Sequence, residues 1–500
     1  MTVSTATRGA VRGATALRGG RVWRPTPFFV VGGLFWLVMT LAYWRVPVCC
    51  DFGQHAAVVE RLRASLLHPR HPTVDLPGAG SPYYSPYAVA QGVFARLTHL
   101  AGWEVVKLAG PLNLLVLLTG LNRFVRTLTS RQWAPVLALL AMTLLWGTQP
   151  AWWSGFLGLL SMTGNLGYPS TFAIGLAFWA WAWAGLLRRA SSWWSYAGLG
   201  VLLGAILLIH PISAVAAAIG VLAVGLPRVG PRWAATAATA VATAVAWPYY
   251  DVLSLAGDTG VDAIHQQLYT GMPGRFWLAL LGLPVLWRRL RGNHRDPLAV
   301  MFALDVLVIA YGWATGHYTY GRIMGLTLVP LQFSLAIALA APRPWLRPRR
   351  ALGALAAAGA ALGFLTVQGG ALVPWGLRQP LMWPTYTWAA QHVPPGDVVL
   401  TDDSRAARSL PGYGPNLLAP AWPDPSLDER ERQRRLTAVR AYLSPASTRS
   451  ERMAIAHRYD VHWLLLDKSR RLPPEAVMVA WSPRTGEVLA RVNGGLPRRG

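Results

Sequence analysis

The stretch PFFVVGGLFWLVMTLAYW, residues 27–44, runs directly into RVPVCCDFGQH, residues 45–55, and together they decide what kind of molecule this is. The first part is apolar throughout and long enough, as a helix, to cross most of a ~30 Å hydrocarbon core. Upstream, residues 1–26 carry Arg8, Arg12, Arg18, Arg21 and Arg24 and no acid. A secretory leader would end at a small-residue cleavage site, and VPVCCDFGQH offers none. The run therefore reads as an uncleaved first transmembrane helix with its N-terminus in the cytoplasm.

Working outward, further apolar runs lie near 104–122, 133–149, 168–187, 196–209, 212–226, 233–249, 275–287, 298–313, 322–340 and 351–371. Arginines fill alternate gaps: Arg123, Arg126 and Arg131; Arg188 and Arg189; Arg228 and Arg232; Arg288, Arg289, Arg291 and Arg295; Arg343, Arg347, Arg349 and Arg350. The intervening gaps 149–167 and 250–273 hold none, and the second carries Asp251, Asp258 and Asp262. This alternation is the positive-inside pattern. It predicts an α-helical polytopic membrane protein of about eleven spans, with its C-terminal tail outside.

Composition agrees. Of the 500 residues, 53% are hydrophobic and only 13% charged, about half the charged share of a soluble domain. The formal charge of +25 comes almost wholly from Arg, a bias that fits a GC-rich bacterial genome. Because these arginines alternate between gaps and form no continuous basic face, nucleic-acid binding is not expected. The only cysteines, Cys49 and Cys50, are adjacent and supply neither a disulfide framework nor a thiolate metal site.

Three regions follow: a cytoplasmic Arg-rich tail, 1–26; a transmembrane domain, 27–372, including a large outer loop, 45–103; and an extracytoplasmic domain, 373–500. In the outer loop, 53–67 and 85–101 have helical apolar spacing around a Pro-rich middle. In the last region, DVVLT (397–401), HWLLLD (462–467), VMVAW (477–481) and EVLARV (487–492) read as strands, flanking helix-like 427–443 and 449–458. That is a small α/β domain. The halves of 196–226 meet at His210-Pro211, each only ~21 Å long as helix, and read either as two spans or as a re-entrant hairpin.

Candidate chemistry gathers at the outer ends. Asp51, just beyond the first helix, can take a proton from a hydroxyl, with His55 one helical turn later; equally, Asp51 can cap the helix that starts there. Tyr83, Tyr84 and Tyr87 can stack on and hydrogen-bond a sugar, or anchor the chain at the membrane interface. In His317-Tyr318-Thr319-Tyr320-Gly321-Arg322, the Arg322 guanidinium offers a fork of donors to a phosphate, with His317 and Tyr320 beside it. Arg275 and His210 are further substrate-binding candidates. Asp305 lies mid-span, where an ionisable group marks function or a structural pair. Asp251, Asp258 and Asp262 read as a solvated acidic loop. No Walker-type, HExxH, CxxC or GxSxG pattern occurs.

An Arg-rich N-terminus, one helix and an outer loop that begins on an acid resemble the GT-C superfamily of membrane glycosyltransferases. So do LLIHPISA (207–214), GHYTYGRIMG (316–325) and a tail holding HRYDVHWLLLD (457–467). The resemblance implies an enzyme, a hexosyl- or pentosyltransferase of the cell envelope. It would move a sugar from a polyprenyl-phosphate donor to a glycan, lipid or protein acceptor on the outer face of the cytoplasmic membrane. Asp51 would then activate the acceptor hydroxyl and Arg322 would contact the donor phosphate. The first loop lacks paired acids of the DxD or ExD kind, so no cofactor is expected, and a divalent cation is left open. WWSG (152–155) matches the WWDxG motif of oligosaccharyltransferases only in part, and in a different region. The rival readings are a transporter or lipid-carrier flippase and a non-catalytic envelope assembly protein.

Overall fold

The computed structural model describes residues 25–46, 50–76, 80–187, 192–225, 230–255, 260–341, 347–373, 375–424 and 427–493. The Arg-rich segment 1–24, Cys49, Arg188, Arg189, Arg228, Asp258 and Arg343 lie outside the described residues.

Helix α1, Pro27–Arg45, starts where Thr26 accepts the Phe29 N–H and Pro27 takes the first position. It buries Phe28, Met39 and Tyr43 and turns Phe29, Val30, Leu34, Leu37 and Leu41 outward. Such an exposed apolar face has no place in water and suits contact with lipid. α2 (Phe52–Ala64) and α3 (Pro86–Thr98) follow in the first loop and pack on each other. α4, Gly102–Leu128, then runs back beside α1. The two helices expected in this loop are both present.

α5 (Ala134–Leu144) and α6 (Leu159–Asn165) are short; α7 (Pro169–Leu187) is long and packs along α4. α8 (Trp193–Ile209) and α9 (Pro211–Gly225) meet at His210, whose extended backbone interrupts the helix. α10, Arg232–Val245, returns along α8, with the Thr239 hydroxyl donating to Ala197 O at 2.9 Å. α11 (Asp262–His265), α12 (Met272–Phe276) and α13 (Leu283–Gly292) form an irregular stretch before α14, Pro297–Thr315. A 3₁₀ turn, Tyr318–Ile323, continues into α15 (Met324–Thr327) and α16 (Val329–Leu339), and α17 spans Arg347–Thr366.

Among the described residues, five helical stretches are long and apolar enough to cross a membrane: Pro27–Arg45, Gly102–Leu128, Pro169–Leu187, Pro297–Thr315 and Tyr318–Leu339. Every apolar run named from sequence is largely helical, but several fall short of bilayer length, so the helix lengths do not give eleven full spans. The run 133–149 shows why. α5 ends at Leu144, the Trp146 indole folds back onto Met142 O at 2.7 Å, and the N–H groups of Thr148 and Gln149 turn to Gly274 O. At ~16 Å, a helix of this length needs neighbours to cover its ends.

The tail forms a five-stranded mixed sheet, flanked by α18 (Thr387–Ala390), α19 (Ser404–Ser409), α20 (Glu429–Leu443) and α21 (Arg449–Tyr459). Its strands are β1 (Val398–Leu400), β2 (Asn416–Leu417), β3 (Val461–Asp467), β4 (Ala476–Ser482) and β5 (Glu487–Val492), in the order β2-β1-β3-β5-β4. β1 lies parallel to β2 and β3, and β5 antiparallel to β3 and β4. Tyr442, Ala456 and Leu464 belong to the core on one side, Tyr386, Leu410 and Trp463 to the other. The four strands read from sequence are present, and β2 is an addition.

This unit sits on the first loop. Arg61 of α2 donates to Gly414 O at 2.8 Å, Pro415 O at 2.9 Å and Asn416 Oδ1 at 2.6 Å. Val74 bridges to Leu417 beside β2, and buried His71 meets Asp424 at 3.3 Å. The tail therefore packs directly against the first loop. At the seam, a Cβ on Gly53 would lie 2.4 Å from Arg408 O. Gly53→Ala is expected to destabilise the protein by about 1–3 kcal/mol through this overlap. Limited proteolysis should then release the tail faster than in the wild type, and equal resistance would show that the seam yields.

Candidate active site

Asp51 stands at the N-cap of α2, yet its side chain makes no capping bond. Cys50 before it has φ 61°, a left-handed backbone that turns the chain from α1 into α2. The Asp51 N–H donates to Tyr168 Oη at 3.0 Å, which fixes the backbone and leaves the carboxylate to other uses. The nearest cation to it is Arg408 of α19, at 3.9 Å, and the Asp51 side chain is 41% open. Burial nevertheless raises its carboxyl above the usual aspartate value, while Arg408 and Arg322 pull it down. Asp51 thus carries a partly open carboxylate within reach of two arginine charges.

Around it stand residues from several elements. The His55 ring packs edge-on against Tyr168 at 4.9 Å and Tyr83 at 6.1 Å. Burial pushes its pKa to about 4, so it is neutral at pH 7. Burial raises the Tyr83 hydroxyl, which has Gln54 and Trp422 beside it.

Arg322 lies in the 3₁₀ turn before α15. Its Nη2 donates to Ser154 O at 3.3 Å and sits 3.5 Å from His210 Nε2, while its buried Nε has no hydrogen-bond partner. Among the described residues no carboxylate comes within ion-pair distance of it. His210 Nδ1 lies 2.9 Å from Ser213 Oγ and 3.2 Å from Ser213 N. Arg322 Nε remains a buried donor without an acceptor among the described residues. A buried donor without an acceptor costs free energy, and an anionic oxygen would relieve it.

The turn carrying Arg322 is held from the loop before α12. Buried Asp262 accepts from the Thr319 N–H at 2.8 Å and hydroxyl at 2.7 Å, and meets His317 at 3.4 Å. It is therefore a structural brace, which corrects its reading as part of a solvated acidic loop. Thr319 in turn bonds His265 Nδ1 at 2.9 Å, and burial pushes the His265 pKa to about 3.

The structure thus groups Asp51, His55, Tyr83, His210 and Arg322. It does not bring the remaining candidates into the same group. Tyr84 is fully buried, donates to Arg70 O and packs near Tyr249. Tyr87 is buried, bonded to Asn113 and stacked on Phe172 at 4.7 Å. Tyr320 packs on Tyr311 at 5.8 Å, His317 serves Asp262, and Arg275 folds back onto Gln267 O at 2.9 Å. Asp305 is buried mid-helix, apart from these contacts. Residues not singled out from sequence are Gln54, Tyr168, Ser154, Trp383, Arg408 and Trp422. Ser154 belongs to WWSG, so that segment borders the site after all. No cluster of three or more metal-ligating side chains occurs among the described residues.

No family profile and no curated protein matches the chain by sequence. Solved structures do match. Arabinofuranosyltransferase AftD from Mycobacteria superposes with a TM-score of 0.56 at 14% identity, over 94% of this chain and 40% of that one. Apo ArnT from Cupriavidus metallidurans gives 0.52 at 14% identity, over 92% and 97%. The chain has a GT-C-like fold. A third GT-C structure, the archaeal oligosaccharyltransferase AglB from Archaeoglobus fulgidus in complex with an inhibitory peptide and a dolichol-phosphate, gives 0.51 at 11% identity, over 94% and 75%. The chain spans well under half the length of AftD and nearly all of ArnT.

Proposed function

We propose that this protein is a GT-C-type membrane glycosyltransferase. It takes a sugar from a polyprenyl-phosphate donor and passes it to an envelope glycan, lipid or protein on the outer face of the cytoplasmic membrane. One feature carries the reading: Asp51, a carboxylate without a capping bond, lies within the electrostatic reach of Arg322, a cation with no carboxylate in contact among the described residues. The alternation of arginines between gaps supports the outward sidedness, and the packing of the tail on the first loop carries the tail with it.

The chemistry follows from those two groups. The acceptor O–H proton passes to an Asp51 oxygen as the acceptor oxygen bonds the anomeric carbon. The bond from that carbon to the phosphate oxygen breaks, and the electron pair leaves with the lipid phosphate. Arg322, with His210 beside it, faces the developing charge and stabilises it. The donor bond itself supplies the driving force, so no nucleotide site is needed.

The test is thermal unfolding of the purified protein with a panel of polyprenyl-phosphate sugars. A ligand that binds only the folded state stabilises it by about 2.7 kcal/mol at one hundred times its Kd, and so raises the midpoint. At least one lipid-linked sugar is expected to shift it, and the shift should vanish in Arg322→Met. No shift with any such lipid would remove the donor assignment.

A further inference from the structure

Arg408 is far from the membrane helices in sequence, yet it is the closest cation to Asp51. It ends α19 in the tail, and two tryptophans from separate stretches of the tail hold it. Its guanidinium carbon lies 3.9 Å from the centre of the Trp422 ring and 5.4 Å from that of Trp383. A guanidinium held by two aromatic faces keeps its charge and loses its freedom to swing. Trp422 also lies beside the Tyr83 hydroxyl, so the stack borders the first loop. The backbone is registered too, because Arg408 O packs against Gly53, two residues from Asp51.

At 3.9 Å, Nη2 acts on the Asp51 carboxylate through charge, without a close hydrogen bond that would occupy its oxygens. The groups facing Asp51 are Arg408 from α19, Arg322 from the 3₁₀ turn, Tyr83 from the first loop, Tyr168 through the backbone N–H, and His55 on α2. Only the two arginines are charged at neutral pH. Once a donor phosphate sits on Arg322, its positive field is largely cancelled, and one cation is left to balance Asp51.

We propose that Arg408 is a positioning residue, through which the tail keeps the Asp51 carboxylate ionised and aimed during turnover. The proposal rests on reading Asp51 as the base. Its test therefore has a readout that needs no substrate. The carboxyl stretch that disappears in Asp51→Asn is followed against pH by infrared difference spectroscopy, on the full-length protein in lipid nanodiscs. Arg408→Met is expected to raise the apparent pKa of Asp51 by about one unit or more, since removal of an opposite charge at this range shifts a carboxyl by roughly 1–3 units. Arg408→Lys keeps a cation in place and should restore most of the wild-type titration.

An unmoved Asp51 titration in Arg408→Met overturns the proposal. So does an equal shift in both variants, which would mark a packing effect instead of a charge effect. A shift in Arg408→Met alone, together with no sugar transfer from any polyprenyl-phosphate sugar, upholds the coupling and removes the transferase reading. Transfer by a wild-type protein whose Asp51 titrates independently of Arg408 does the reverse.

Discussion

Asp51→Asn is expected to lower sugar transfer by roughly 1,000-fold, the middle of the range for a lost general base. The asparagine keeps the shape of the side chain and cannot take the acceptor proton. Folding should be little affected, because the carboxylate makes no capping bond and the α2 backbone is held instead through Tyr168. Donor binding should persist, since Arg322 is untouched. Loss of transfer with an intact thermal response to polyprenyl-phosphate sugars is therefore the expected pair of results. Full activity in Asp51→Asn would falsify the assignment.

The pH profile supplies a second check on the same group. Burial raises the Asp51 carboxyl, and the base works only when ionised. Wild-type activity is then lost as pH falls through that raised value, at higher pH than an exposed aspartate would give. His55, pushed to about 4, stays neutral across the same window and adds no competing step near neutrality.

Much of the architecture could be read from local pattern, because a membrane span and a buried strand both write their burial into consecutive residues. Helix α1, the first-loop helices and β1, β3, β4 and β5 all carry such runs. β2, at Asn416–Leu417, is too short to show alternation, and it exists because Val74 and β1 flank it. Helix length among the described residues does not confirm the count of eleven spans, because apolar composition says nothing about where a backbone leaves the helix. At Leu144 and His210 it does so to meet partners distant in sequence or to admit a proline.

The site was legible only in part, for a related reason. Asp51 and Arg322 stand out as charges at the borders of apolar runs. Arg408 stands among many tail arginines, and only the docking of α19 against Gly53 sets it apart. The tyrosines make the opposite case. Tyr83, Tyr84 and Tyr87 are equivalent in sequence, but α3 begins at Pro86 and turns Tyr87 into the Asn113 pocket, while Tyr84 closes over Arg70 O. Only Tyr83 is left beside His55.

Arg322→Met should cost transfer about 100- to 1,000-fold, as loss of a donor aimed at developing charge does elsewhere. The effect should also differ in kind from that of Asp51→Asn. Arg322 has an unpartnered buried Nε, so it keeps a donor free for an anion. Removing it should therefore weaken donor binding along with the chemical step, and abolish the thermal shift that Asp51→Asn retains. Arg322→Lys keeps the charge but loses the planar fork, and should fall between the two. His210→Gln leaves Arg322 in place and is expected to lose less than Arg322→Met. The decisive comparison is binding against turnover. If Arg322→Met retains the wild-type thermal response to lipid-linked sugars and loses only turnover, the arginine serves Asp51 and not the phosphate. The donor head would then have to lie against another cation, and beside Asp51 only Arg408 remains to hold it.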